Sequence, residues 1–319
     1  MTGSTHQKST TDPVLSIIIV NWNTRELLAQ CLESVSHEIH RLGPLGVETL
    51  VVDNASTDGS TQMVQERFPW VQLTENQKNV GFARANNQAI LQSTGRYVLL
   101  LNPDTEVKPG AFEALIAFME AHPHVGGAGA RLLNPDHTLQ ASCYAAPTLP
   151  REFWRMFHLD ALVPYGTYRM EKWDLSKHRE VDVIQGACLI LRQDVLNQVG
   201  LFDGEYFIYS EEVDLCHRLR NAGWKLYWVP QARVVHYGGQ STQQVAAEMF
   251  LRLYQGKIIY FRKHYGWFTS HIYKLILAAA TLTRLLITPL AWLERPPKRE
   301  QHLTLASHYR RLLFSLPGM

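Results

Sequence analysis

The sequence predicts an α/β protein with a mostly parallel central sheet and helices on both faces. Near-continuous apolar, β-branched runs alternate with amphipathic segments over residues 15–101, which is the pattern of strands crossed over by helices. Polar residues follow several of these runs directly. The chain has 319 residues, of which 46% are hydrophobic and 19% are charged, a composition typical of globular rather than disordered proteins.

The first elements are the clearest. Residues 15–20, LSIIIV, form an apolar run bounded by polar residues, as expected of a parallel strand buried on both faces. A helix is predicted over 24–39, with Thr24 as N-cap and an apolar stripe of Leu27, Leu28, Cys31, Leu32 and Val35. The alternation continues with a strand over 47–53, a helix within 56–68, a strand over 71–75, a helix over 81–93 and a strand over 97–101.

Beyond Val125 the pattern becomes less regular. A long, aromatic-rich excursion extends to Arg179. Order returns over 181–204, and residues 211–241 predict a helix closed by Gly223 and followed by one or two strands. We therefore expect a disordered polar tail over 1–13, an α/β domain over 14–243 and a helical, basic and amphipathic region over 244–319.

The ends of the chain and its totals restrict localisation and partners. The tail has no apolar stretch that would serve as a secretory signal, the formal charge is only +2, and the four cysteines are scattered without a C-x-x-C pair. These features favour a reducing compartment and give no indication of nucleic acid, a disulfide framework or a zinc site.

The C-terminal region carries the strongest membrane signal. Residues 273–293 are long enough to span a bilayer, but Lys274 and Arg284 interrupt them, and a mid-span arginine costs roughly 2.5–3.5 kcal/mol. A helix that lies in the interface, with its cations reaching the headgroups, is favoured. The alternative is a helical hairpin packed on the body of the protein.

The polar residues at strand ends indicate where a ligand binds. In open α/β sheets, ligands bind outside the carboxyl ends of the strands, where Asp53 and Asp104 stand. The first turn after a strand, VNWNTRE, contains no glycine. This disfavours a Rossmann dehydrogenase and a nucleotidyltransferase with a glycine-rich phosphate loop.

A series of motifs carries a family resemblance. The segments IIIVNWNTRELLAQCLESV, LVVDNASTDGS, NVGFARANNQAI, YVLLLNPDTEV, GACLILRQDVLNQVGLFD, EEVDLCHRLRNAGW and ARVVHYGGQS occur in this order between residues 15 and 241. In this they resemble family 2 glycosyltransferases of the GT-A fold, and most closely the bacterial rhamnosyltransferase-like branch. The resemblance implies a nucleotide-sugar donor, a divalent cation (Mg²⁺ or Mn²⁺) and inversion at the anomeric carbon by single displacement.

The resemblance assigns metal ligands to two residues. Where the family has a D-x-D motif, this chain has Asn102-Pro103-Asp104, so Asp104 inherits the ligand role and Asn102 is a neutral supporting group. His236 matches a carboxyl-terminal histidine that can complete the site, and it would favour Mn²⁺. The alternatives are a turn aspartate helped by Pro103 and a structural core histidine.

Other motif residues are implied to bind the donor nucleotide. Asp53 would accept a hydrogen bond from a pyrimidine base, although an Asx turn would use the same residue types. Arg84 is the natural phosphate partner. Further donor contacts are implied for Asn21, Asn79, Gly81 and Asn86, whereas Asp58 is expected to cap the next helix.

The acids Glu211 and Glu212 are implied to hold the catalytic base. Glu212 stands where the family has an aspartate, and Glu211 remains possible. Alternatively, both acids offset a helix dipole, at roughly 0.3–1 kcal/mol each. Gln185, Gly186 and Ala187 would leave room for the acceptor, and Asp214 is expected to be structural.

Together these interpretations predict an inverting glycosyltransferase that is cytoplasmic and peripherally associated with the inner face of the cell membrane. Its donor would be dTDP-rhamnose or a UDP-sugar, and its acceptor a lipid-linked saccharide of the cell envelope. The alternatives are a UDP-hexose-dependent transferase and a non-catalytic scaffold that binds sugar nucleotides.

Overall fold

A computed structural model describes residues 13–240, 244–293 and 295–319, so the predicted tail lies outside the described residues except for Pro13. The strands are β1 (Leu15–Asn21), β2 (Val47–Asp53), β3 (Gln72–Glu75), β4 (Tyr97–Leu101), β5 (Thr105–Val107), β6 (Val125–Leu133), β7 (Cys143–Tyr144), β8 (Arg179–Glu180), β9 (Val183–Ile184), β10 (Cys188–Arg192) and β11 (Lys225–His236). The helices are α1 (Arg25–Leu42), α2 (Ser60–Arg67), α3 (Phe82–Gln92), α4 (Ala111–Ala121), α5 (Leu149–Met156), α6 (Gln193–Val199), α7 (Glu211–Asn221), α8 (Ala246–Ile287) and α9 (Pro296–Ser315).

In the described part of the chain, nine strands form one sheet in the order β3-β2-β1-β4-β10-β6-β11-β5, with β8 paired to β11. The first four strands are parallel, as predicted. The other half is mixed, because β10 returns from the long excursion and runs antiparallel between β4 and β6. Strand order reverses between β1 and β4, and this switch point opens a crevice at their carboxyl ends.

Both faces of the sheet are covered, which explains the unbroken apolar runs. Along β1, Ile17 and Ile19 join a core with α1, α2 and α4, whereas Ile18 and Val20 join a second core with α3, α6 and α7. Alternate residues of a strand point to opposite faces, so each of these four positions requires an apolar side chain. Full burial of such a side chain contributes roughly 1.5–3 kcal/mol.

The start of α1 differs in detail from the prediction. Thr24 occupies the N-cap position, but its hydroxyl donates to Asn21 Oδ1 at 2.7 Å instead of capping the helix. Asp58 accepts the hydrogen bond from Arg25 N at 2.8 Å and also one from Ser60 N at 3.0 Å. One carboxylate therefore supports the first turns of both α1 and α2, which agrees with the structural role expected for it.

The C-terminal region forms a third core and reaches back over the sheet. The long helix α8 is interrupted at Gly266, whose φ of 87° is left-handed. Beyond this break, Tyr273 and Leu277 pack with Met156 of α5 and Leu312 of α9. The span Ala246–Trp292 is long and apolar enough to cross a membrane, by length and composition only.

Candidate active site

A cavity of about 390 Å³ opens at the carboxyl ends of β1 and β4. It is closed by the start of α7, the end of β11 and the first turn of α8. Most of the predicted site residues contribute to its wall: Asn79, Asn102, Asp104, Gln185, Gly186, Ala187, Glu211, Glu212 and His236. The predicted metal, base and acceptor positions therefore lie around one space.

Asp104 and His236 are brought together by strand pairing. The short strand β5 starts just after Asp104 and runs antiparallel to the end of β11, with Thr105 opposite His236. The backbone of Asp104 is held there because its carbonyl accepts from Tyr237 N at 2.9 Å. As a result, Asp104 Oδ1 lies 3.3 Å from His236 Nε2, with both residues buried.

The orientation of His236 is set by Gln140, a residue that the sequence interpretation missed. The Gln140 amide Nε2 donates to Asn134 Oδ1 and to the His236 carbonyl. The Gln140 Oε1 therefore faces His236 Nδ1, at 2.6 Å. Nδ1 then carries a proton, and in the neutral imidazole Nε2 presents a lone pair. The amide Nδ2 of Asn102 lies 3.3 Å from Nε2.

This donor set suits a divalent cation. Two electron-pair donors, Asp104 Oδ1 and His236 Nε2, face each other at 3.3 Å beside the cavity, an arrangement that a bound cation would stabilise. The described residues contain no group of three or more His, Cys, Asp and Glu side chains that could hold a metal. The protein would thus supply two strong ligands, and oxygens of a diphosphate or of water would complete the shell.

Glu211 and Glu212 form a second acidic cluster, at the amino end of α7. Glu211 is only 4% exposed, and the Oε2 atoms of both residues are buried without a hydrogen-bond partner among the described residues. Burial, and then the charge of Glu212, raise the pKa of Glu211 well above its usual value. Burial likewise raises the pKa of Glu212. Each carboxyl group is thereby made a better proton acceptor.

The backbone before these acids is strained and clamped. Tyr209 and Ser210 have φ values of 68° and 71°, which cost about 1–3 kcal/mol each in residues other than glycine. The preceding loop is fixed by a 2.6 Å hydrogen bond from Phe82 N to Phe207 O. On its other side, a Cβ on Gly256 would lie 2.5 Å from Tyr209 O, so α8 contacts this turn directly.

The predicted nucleotide residues separate into two groups. Asp53 and Asn21 are buried beside each other, with Asn21 Nδ2 donating to Asp53 Oδ1 at 2.9 Å, and Ser56 N donating to Asp53 Oδ2 at 2.8 Å. They lie beneath the wall rather than in it. Asn79 is in the wall, and its Oδ1 accepts from Asn54 Nδ2 and from Gly81 N, both at 2.9 Å.

Arg84 and Asn86 are not brought to the cavity. Arg84 is exposed and its Nε donates to Gly204 O at 3.0 Å, whereas Asn86 is buried and donates to Phe82 O at 2.9 Å. Arg84 lies in the first turn of α3 and Asn86 in the second, whereas Phe82 at the start of the helix is in the cavity wall. The next residue, Asn87, also points away from the cavity and exchanges two hydrogen bonds with the backbone of Phe202.

Other wall residues have no counterpart in the sequence prediction. Trp22 and Asn54 follow β1 and β2, and their place at strand ends would have been a usable signal. Glu248 and Met249 come from the first turn of α8, beyond the boundary predicted at residue 243. The C-terminal region thus completes the cavity wall of the α/β domain.

Comparison with known proteins identifies the family. The profile of Glycosyl transferase family 2 matches residues 16–200, more than half of the chain. The chain belongs to glycosyl transferase family 2. As a family 2 enzyme it is a glycosyltransferase, and the match includes β1 to β4, β10 and the Asn102–Asp104 turn.

Two curated relatives of this family 2 chain are rhamnosyltransferases. The N-acetylglucosaminyl-diphospho-decaprenol L-rhamnosyltransferase of Mycobacterium tuberculosis is 32% identical over 278 residues, which cover 81% of this chain and 87% of the relative. Rhamnosyltransferase WbbL of Escherichia coli K12 is 25% identical over 177 residues, covering 53% and 66%.

A solved structure supports the predicted GT-A architecture. The mannosyltransferase PcManGT from Pyrobaculum calidifontis, in complex with GDP-Man and Mn²⁺, aligns with a TM-score of 0.57 and 18% identity. The alignment covers 96% of this chain and 88% of that protein. At this identity the likeness concerns the fold, and it extends through the C-terminal helices.

Proposed function

We propose that this enzyme transfers rhamnose from a nucleoside-diphosphate sugar to a hydroxyl group of a lipid-linked saccharide in cell-envelope synthesis. One observation carries the proposal: a single cavity has an electron-pair-donor pair, Asp104 and His236, in its wall together with a proton-accepting pair, Glu211 and Glu212. Glycosyl transfer requires that the negative charge on the departing diphosphate is stabilised and that the incoming hydroxyl loses its proton. The sugar and the acceptor class follow the 32% identical relative.

Asp104 and His236 would hold Mg²⁺ or Mn²⁺, with Asn102 beside them. When bound, the cation supplies positive charge that stabilises the diphosphate as its bond to the sugar breaks. Gln140 keeps His236 in the tautomer that can bind a cation, with Nδ1 protonated. The described cavity wall contains no lysine or arginine, so a cation would be the main positive charge available to the leaving group.

Glu212 takes the proton from the acceptor hydroxyl. As the oxygen–carbon bond to the sugar forms on one face, the bond to the diphosphate breaks on the other, which inverts the anomeric carbon. The proton moves to the Glu212 carboxylate, and the raised pKa of Glu212 makes this carboxylate a better proton acceptor than an ordinary one. Glu211, buried next to it, is the alternative base.

The donor nucleotide would lie on the side of Asn79 and Trp22, above the buried pair of Asp53 and Asn21. Asp53 remains our proposed acceptor for a pyrimidine N–H, because each carboxylate oxygen can accept more than one hydrogen bond. The acceptor would enter past Gln185–Ala187 and Glu212. Arg84 and Asn86 have no part in this arrangement.

A lipid-linked acceptor places the reaction at a membrane surface. The C-terminal helices would hold the enzyme there as a peripheral protein on the cytoplasmic face, where sugar nucleotides are made. Support comes from the apolar span of α8, of which only 22% is buried in the most apolar stretch. A bilayer-spanning role is disfavoured because one side of the helix packs on α5 and α9.

The test is a thermal-shift panel of sugar nucleotides with and without Mn²⁺, followed by transfer assays with the donors that bind. A bound donor raises the melting temperature by mass action. We expect dTDP-rhamnose with Mn²⁺ to give the largest shift and to release dTDP when a lipid-linked acceptor is added. If a UDP-hexose gave the larger shift and turnover, the donor would be that UDP-hexose and not dTDP-rhamnose. Donor binding without turnover would favour a non-catalytic scaffold that binds sugar nucleotides.

A further inference from the structure

The cavity wall is rich in acids and poor in bases. Among the described residues that line it, Asp104, Glu211, Glu212 and Glu248 carry carboxyl groups, and none is a lysine or an arginine. A nucleoside diphosphate brings further negative charge, which such surroundings repel. A divalent cation at Asp104 and His236 would offset part of this charge. An arginine within reach of the cavity would offset more, and its planar fork suits phosphate oxygens.

Arg252 of α8 lies directly behind this wall. Its Nη2 lies 3.2 Å from Glu248 Oε1, and its guanidinium carbon lies 4.8 Å from the centre of the Phe207 ring. Glu248 and Phe207 both line the cavity. Arg252 therefore contacts two wall residues, one as an ion pair and the other through a cation–π contact.

The face of α8 that carries Arg252 is turned towards the loop before α7. Glu248, Arg252 and Gly256 are spaced by four residues, so they lie on one side of the helix. At one end of this row Glu248 is in the cavity wall. At the other end Gly256 approaches Tyr209, because a Cβ on Gly256 would lie 2.5 Å from the Tyr209 carbonyl oxygen. Arg252 is held between these two contacts.

Phe207 places Arg252 on the side of the cavity where we propose that the donor nucleotide lies. The Phe207 carbonyl accepts from Phe82 N at 2.6 Å, and a Cβ on Gly81 would lie 2.6 Å from the same oxygen. Gly81 N in turn donates to Asn79 Oδ1 at 2.9 Å. The ring that Arg252 contacts is thus packed on the loop that carries Asn79.

The polar contacts of Arg252 can be exchanged for others. Its pair with Glu248 joins two partly exposed side chains of one helix, which is a weak kind of ion pair. Its Nη1 donates to Gln255 Oε1 at 3.1 Å. Within the described residues these bonds occupy two of the five N–H donors of the guanidinium. A diphosphate, which carries more charge than one carboxylate, can therefore take the place of Glu248.

We propose that Arg252 binds the diphosphate of the nucleotide donor, the role for which the sequence favoured Arg84. Glu248 holds the guanidinium at the rim of the cavity until the diphosphate replaces it, and the Phe207 ring keeps the planar group oriented. The inference rests on the proposed function for the class of ligand, a nucleoside diphosphate, and it does not depend on which sugar is transferred. It gives the C-terminal helix a part in donor binding.

Calorimetric titration of the full-length protein with dTDP and with dTMP, each with and without Mn²⁺, tests the contact. We expect Arg252→Gln to weaken dTDP binding by roughly tenfold or more, the usual loss when a charged hydrogen bond is removed. The loss should be smaller for dTMP, because one phosphate carries less charge. Arg252→Lys keeps the charge without the fork and should fall in between. Glu248→Gln removes the competing carboxylate and should bind dTDP more tightly than wild type.

Arg67→Gln is the matched control. Arg67 also pairs with a glutamate, Glu33, and lies over a phenylalanine ring, that of Phe68, but it belongs to α2 and is outside the cavity wall. This variant should bind dTDP like wild type.

The outcomes separate this contact from the proposed function. If Arg252→Gln bound dTDP like wild type, or lost equal factors for dTDP and dTMP, Arg252 would have at most a structural role and the inference would fail. Weaker dTDP binding by Glu248→Gln would overturn the exchange of partners. If wild type bound neither dTDP nor UDP, with or without Mn²⁺, the proposed function itself would fail.

Discussion

The two acidic clusters of the cavity are built differently. Around Asp104 the neighbouring polar groups are engaged: Gln140 fixes His236, and Tyr237 N fixes the Asp104 backbone. At the start of α7, Glu211 and Glu212 each keep a buried oxygen with no partner in the described part of the chain, directly after the strained residues Tyr209 and Ser210. The first arrangement would pre-orient electron pairs for the cation that we propose. The second makes ionisation costly, which is what a proton acceptor near neutral pH requires.

The comparison is most sharply tested by Glu212→Gln. We expect transfer to fall by about 10²–10⁴-fold, the usual contribution of a general base, while donor and Mn²⁺ binding stay near wild type because Asp104 and His236 are intact. Transfer is measured as nucleoside diphosphate released, and binding by calorimetry. Glu211→Gln serves as the paired variant and should keep more activity. If Glu211→Gln were instead the inactive variant, Glu211 and not Glu212 would be the catalytic base.

A second test acts on the other cluster through a residue that does not contact the cation. Gln140→Leu frees the His236 ring without removing a ligand, so Mn²⁺ affinity should weaken by about 10–100-fold. The titration is followed by calorimetry in the presence of nucleoside diphosphate, with Gln65→Leu as control, since Gln65 is exposed on α2 and its side chain donates to Glu75. Unchanged Mn²⁺ affinity in Gln140→Leu would argue against His236 as a ligand.

The smallest expected effect concerns stability and pH. The folded-state pKa of Glu211 is raised above its ordinary value of 4.5, so wild-type stability is fully present below that value and decreases as pH rises through the folded pKa. Glu211→Gln cannot ionise and should therefore melt higher at neutral pH, by about 2–4 °C for each kcal/mol gained. The gain should shrink towards pH 4.5. Melting curves that keep a constant difference across this pH range would contradict the raised pKa.

The parallel half of the sheet could be predicted closely from sequence. The strand predicted over 47–53 matches β2, and that over 97–101 matches β4, because strands buried on both faces leave an unbroken apolar run. The edge at which Asp104, His236 and the two glutamates meet was also predicted. It follows from the rule that strand ends share one side of the sheet, together with the motif order.

The remaining features depend on tertiary contacts that leave no local pattern. The Arg84 side chain is turned away from the cavity by its hydrogen bond to Gly204 O. Gln140 orients His236, a residue 96 positions away in the sequence. Glu248 reaches the cavity only because Gly256 allows α8 to approach the turn at Tyr209. Similarly, β10 enters antiparallel after a long excursion, and periodicity within a strand does not encode its direction.

The approach of Gly256 to the Tyr209 carbonyl has a consequence for biosynthesis. A nascent chain emerging from the ribosome can assemble the sheet, and even the turn carrying Glu212, while the last wall of its cavity is still missing. That wall is added only with α8, the helix through which we propose that the enzyme contacts the membrane. Completion of the cavity therefore has to wait for the synthesis of α8, well after the strands and turns that carry most of its wall.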